Sequence, residues 1–138
     1  MIISASIMCL ALNIYHEARG ESLAGQLAVG FSTMNRVADK RYPDTVCGVV
    51  KQARYHAWDL ENPIRHKCQY SWFCDGYSDQ PDDDKSMLES TILAQNIYYG
   101  KVTDISEGAT HYHATYVNPY WSEDMFLVLE IDQHLFYK

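Results

Sequence analysis

No run of apolar residues in this 138-residue chain approaches the roughly 20 positions a membrane-spanning helix needs. Internal repeats are absent, and the only biased tract is the short acidic run Asp82-Asp83-Asp84, which removes solenoids and disordered tails from consideration. Basic residues are scarce, 11 Lys and Arg against 18 Asp and Glu. The resulting net charge of -7 excludes the clustered positive face of a nucleic-acid binder and gives no attraction to an anionic membrane. Charged residues before Ile2-Ile3 are lacking too, so no classical signal peptide is read, and export, if it occurs, is expected to need another route or a removed upstream segment. What remains is a chain with 47% hydrophobic residues, enough for one soluble globular domain over 1–138, expected to be a monomer.

Four cysteines are present. Cys9 falls in a helix that reads as buried and is expected to be a free thiol. One bridge is expected among Cys47, Cys68 and Cys74 if the protein works outside the cytoplasm, and its pairing stays open. Eleven Tyr and three Trp give flat faces with polar handles, suited to sugar rings as well as to cores.

Hydrophobic spacing predicts a first helix from Ser4 to Ala18 and a second from Ser22 to about Asp39. Thr45 caps a short third helix through Val46, Val49 and Val50. From Gln52 to about Asp84 the periodicity vanishes, and loops that long are usually functional or disordered. The cysteine-flanked aromatic segment from Cys68 to Cys74 favours an ordered, functional loop. A helix from about Lys85 to Tyr99 follows, with Leu88, Ile92 and Tyr99 on one stripe and Gly100 as its stop. Period two then appears from Ala109 to Val117, with Thr110, Tyr112, Ala114 and Tyr116 on one face and His111, His113 and Thr115 on the other. Met125 to about Ile131 is expected to return antiparallel to that strand, giving an α+β fold with a small sheet in its C-terminal third.

The stretch Asn13-Ile-Tyr-His-Glu-Ala-Arg-Gly-Glu21 concentrates the chemistry. It carries Glu17 into the last turn of an apolar helix, where poor solvation favours a protonated carboxyl able to donate at neutral pH. Gly20 ends that helix and Glu21-Ser22 opens the next. His111 and His113 on one strand face, with His16 beside Glu17, define a rival zinc reading as a metal-dependent amidase or peptidase. The second histidine of a His-Glu-x-x-His helix is missing, because position 20 is Gly.

Taken together, Ala11 to Glu21, Gly25 to Val29, Asn35-Arg36-Val37, Tyr42 to Val50, Cys68 to Trp72, Ala109 to Ala114, Pro119-Tyr-Trp121 and His134 to Tyr137 resemble the SleB-like cell-wall hydrolases. That family includes spore cortex-lytic enzymes and phage-encoded relatives. The resemblance implies a lysozyme-like domain that cuts peptidoglycan strands between N-acetylmuramic acid and N-acetylglucosamine without a cofactor. It implies Glu17 as catalytic acid and base, with Glu21 as the candidate second carboxylate. Arg19 and Asn35 are candidates to orient the substrate or Glu17. Tyr70, Ser71, Trp72, Tyr112, His113, Tyr116 and Trp121 are candidates for the groove wall. With no leader or wall-binding module read in the sequence, a phage or prophage lysis enzyme released through a holin is expected rather than a spore enzyme.

Overall fold

A computed structural model describes residues 3–138; Met1 and Ile2, on which the reading of the leader partly rests, lie outside the described residues. Helix α1 spans Ala5–Ala18, and Ser4 caps it by accepting from the Ile7 amide. Ile7, Leu10, Ala11, Ile14 and Tyr15 are buried on it, so α1 is the central rod of the core. Ser22 caps α2 (Leu23–Val37), Thr45 caps α3 (Val46–Val50) and Asp83 caps α4 (Asp84–Tyr98), each through its side-chain oxygen. All four helices stand where hydrophobic spacing and capping residues place them.

The face that α4 buries differs from the expected stripe. Leu88 is 61% exposed, Ile92 49% and Tyr99 63%, whereas Ser90, Thr91 and Ala94 are buried. Small side chains let α4 approach the central rod closely. The same economy appears at Gly30 on α2, where a Cβ would fall 2.5 Å from the Ile97 side chain and 3.0 Å from that of Ile14. Helices α1, α2 and α4 therefore meet without room for a methyl group.

The sheet has three strands, β1 (His111–Ala114), β2 (Leu127–Ile131) and β3 (His134–Tyr137), in the order β1-β3-β2, all antiparallel. The α+β architecture stands, with two corrections. Strand β1 is shorter than the span from Ala109 to Val117. Its partner is β3, not the segment from Met125 to Ile131, because β2 turns back on β3 through Asp132-Gln133, and β3 lies between the other two. Asp132 takes φ 52°, a left-handed conformation that Asp tolerates better than most residues.

The expected bridge among Cys47, Cys68 and Cys74 is present as Cys68–Cys74, and the expectation of a free thiol at Cys9 is corrected. Cys9 bonds Cys47, joining α1 to α3, and Cys68 bonds Cys74 across the aromatic loop. Cys9 is buried on α1, and α3 packs against that helix with Cys47 turned toward it, so the thiol expected to be free meets its partner in the core.

Candidate active site

Helix α1 delivers Glu17 to the floor of a cleft of about 280 Å³. Helix α2 contributes Arg36, the loop after α3 contributes Gln69 and Tyr70, and β1 contributes His111, Tyr112 and His113. Val117, Pro119 and Trp121 close the far wall. Glu17 is the sole carboxylate among these lining residues. Burial raises its pKa, and that effect outweighs the opposing hydrogen bond from Tyr112 and the charge of Arg36. The Tyr112 hydroxyl donates to Glu17 Oε1 at 3.0 Å, and burial beside that carboxyl pushes the phenol well above its usual range, so it stays a donor. Glu17 is thereby held in one orientation and biased toward carrying a proton.

Arg36 is only 5% exposed. Its Nε donates to the Thr110 carbonyl at 2.6 Å and its Nη1 to Gln69 Oε1 at 3.4 Å, while the guanidinium lies over the Tyr42 and Tyr70 rings. Arg36 entered the sequence analysis only within the Asn35-Arg36-Val37 motif and was not among the candidate cleft residues. The available signal was its position on the buried stripe of α2, three residues after Thr33. Gln69 was missed for want of any periodicity in its loop.

The other named residues fall in different places. Tyr70, Tyr112, His113 and Trp121 reach the cleft with Glu17. Trp72 turns into the core instead: its indole Nε1 donates to Asn13 Oδ1 at 2.9 Å, and the His16 ring stacks on it at 4.4 Å. Ser71 is exposed at the start of the 3-10 turn Ser71–Cys74, and Tyr116 is 80% exposed, away from the lining. Arg19 lies over the Tyr15 ring and within 3.7 Å of Asp82. Asn35 donates to Asp104 Oδ2 at 3.0 Å and to the Ala109 carbonyl at 2.9 Å, pinning α2 to the segment that leads into β1. Glu21 stands apart from the cleft, 3.6 Å from His134 Nδ1, and His134 packs edge-on against the Tyr112 ring.

The three histidines of the zinc reading do not converge. His111 bonds Thr110 and Tyr42 through its two ring nitrogens, His113 bonds the Ala114 carbonyl and the Tyr137 hydroxyl, and His16 bonds the Asp79 carbonyl. Trp121 packs against both of the first two, 5.2 Å from the His111 ring and 5.6 Å from that of His113. Burial, with the charges of Arg36 and Arg41, pushes His111 down to about 4, so it is neutral at pH 7.

Comparison with known proteins follows this geometry. Over 48 residues, 35% of this chain, the sequence is 44% identical to a spore cortex-lytic enzyme of Oceanobacillus iheyensis and 42% identical to that of Bacillus cereus. The matched segment spans only 17% and 18% of those relatives' lengths. The fold is shared with the catalytic domain of the germination-specific lytic transglycosylase SleB from Bacillus anthracis, at TM-score 0.70 and 24% identity, covering 99% of this chain and 97% of that one. The SleB catalytic domain from Bacillus cereus superposes at TM-score 0.67 and 23% identity, covering 99% and 93%. The cell wall hydrolase family model matches residues 20–137, from the glycine that ends the Glu17 helix to the last residue of β3, and the chain belongs to that family.

Proposed function

We propose that this chain is a peptidoglycan-degrading glycosidase that cleaves between N-acetylmuramic acid and N-acetylglucosamine, with Glu17 as general acid and then base. The observation that carries the reading is a lone carboxyl at the cleft floor, shifted by burial toward its protonated form and held by Tyr112. Protonating the glycosidic oxygen needs a neutral acid at working pH, which this environment favours.

The absence of a second carboxylate from the cleft lining supports lytic transglycosylation over two-carboxylate hydrolysis. Glu17 gives its proton to the leaving oxygen as the C1–O bond breaks, and the substrate's own N-acetyl carbonyl stabilises the cationic centre. The carboxylate so formed takes the proton of the muramic 6-hydroxyl as that oxygen closes on C1, which regenerates the acid and leaves an anhydro ring. The Bacillus anthracis structural neighbour, the catalytic domain of a lytic transglycosylase, agrees with this reading.

Both disulfides fit work in the oxidising space around the wall. Release from a host cell by a phage or prophage lysis system accords with that location. The reading takes the enzyme as a monomer acting on glycan strands. Mass spectrometry of digested peptidoglycan tests it. Anhydro-muramic ends are the expected product, reducing ends would replace transglycosylation by hydrolysis, and freed peptides would overturn the glycosidase.

A further inference from the structure

Next to the cleft is a second groove of about 390 Å³, lined by Gln52, Ala53, Arg54, Lys67, Cys68 and Gln69. Gln69 lines both spaces, so the two adjoin at that residue. The groove is built on paired backbone. Ala53 bridges Cys68, the Arg54 amide donates to the Lys67 carbonyl at 3.0 Å, and the Gln69 amide donates to the Gln52 carbonyl at 3.0 Å. The Cys68–Cys74 disulfide ties the same segment to the 3-10 turn behind it.

Its charge is opposite to that of the chain as a whole. Arg54 and Lys67 line it without an acidic neighbour in the lining, and neither side chain has an ion pair or a hydrogen bond to another described residue. Arg36, buried with no carboxylate in hydrogen-bond contact, reaches Gln69 from the other side. Two free cations and a polar floor next to a glycan cleft suit an anionic branch rather than another neutral sugar.

Building on the glycosidase reading, we propose that this groove holds the peptide arm of the muramic acid residue, with its free carboxylate meeting Arg54 and Lys67. The sugar backbone carries N-acetyl and hydroxyl groups and the muramic lactyl ether, whose carboxyl is tied up in the amide to the peptide, so in an intact strand the peptide is the branch that charge can recognise. Exposed ion pairs are individually weak, and two of them acting together predict a roughly three- to tenfold preference that salt screens.

The test compares wild type with the Arg54→Gln/Lys67→Gln double variant. The substrates are soluble glycan strands bearing stem peptides and the same strands stripped by an amidase, with the lactyl carboxylates so exposed converted to neutral amides by carbodiimide and ammonia. The expected result is a three- to tenfold fall in kcat/KM on peptide-bearing strands, none on stripped strands, and disappearance of the difference in high salt. An equal loss on both substrates, or no loss on either, overturns the proposal while leaving the glycosidase intact. If wild type cleaves neither strand, the glycosidase reading fails, and NMR titration of the full chain decides the groove. Shifts at 52–54 and 67–69 with an N-acetylmuramyl tetrapeptide, absent with diacetylchitobiose and lost in the double variant, uphold it; any other pattern overturns it.

Discussion

Glu17→Gln separates the chemistry of the cleft from its stability. The amide is nearly equal in volume, and its Oε1 can still accept the hydrogen bond that Tyr112 now donates at 3.0 Å, so the cleft keeps its shape. What disappears is the transferable proton. General acid–base catalysis is typically worth about 10²–10⁴-fold, or roughly 3–5 kcal/mol of barrier, and lysis should fall by at least that factor. Stability should move the other way. Burial dominates the environment of Glu17 and raises its pKa. A carboxyl whose folded pKa exceeds its unfolded value favours the fold while protonated, and that contribution is lost as pH rises through the folded pKa. The variant never bears the charge, so it should match wild type in acid and exceed it increasingly toward pH 8. A gain on the order of 1 kcal/mol is typical when a functional strain is relieved, and it raises Tm by a few degrees. Wall turbidity and thermal melts at several pH values read both halves. Near-normal lysis by a folded variant would remove Glu17 from the mechanism, and a lower Tm at pH 8 would refute the burial argument.

Tyr112→Phe keeps the ring packing against His134 and Phe136 but removes the donor that opposes the raised pKa of Glu17. Its rate should fall roughly tenfold or more, and the alkaline limb of its pH–rate profile should move to higher pH; an unmoved limb would count against the bond. Asn13→Leu orphans the buried Trp72 indole N–H, costing about 1–3 kcal/mol in denaturant melts, with turnover per folded molecule preserved. Cys9→Ser with Cys47→Ser opens a bridge of sequence separation 38, and by loop entropy this costs about 4 kcal/mol, against about 2 for the bridge of separation 6 between Cys68 and Cys74. Melts of the two double variants should rank in that order.

Much of the fold was legible because its helices announce themselves twice, by apolar spacing and by Ser4, Ser22, Thr45 and Asp83 at their caps. The face of α4 was misread because periodicity follows the largest side chains, whereas close packing on α1 selected Ser90, Thr91 and Ala94. Strand β3 was missed because a two-residue Asp132-Gln133 turn carries no glycine to mark it. Glu17 stood out as a carboxyl on an apolar helix. Arg36 did not, since a cation near a helix C-terminus already has an ordinary explanation. Cysteine pairing depends on how α1 and α3 dock, which no local pattern encodes.

The bond from Tyr112 to Glu17 spans 95 residues of sequence, and the Asp132 carboxylate that receives both the amide and the hydroxyl of Ser22 spans 110. Closing loops of that length costs entropy before any contact offsets it, so these clasps form late in folding. A ribosome that has released residues 1–100 has supplied the helical body and Glu17 but neither the phenol that orients it nor the turn that fixes the start of α2. Assembly of the competent cleft is therefore timed by completion of the sheet. With Glu17 as the proposed acid, chains that end before β3 are expected to hold that carboxyl without its setting.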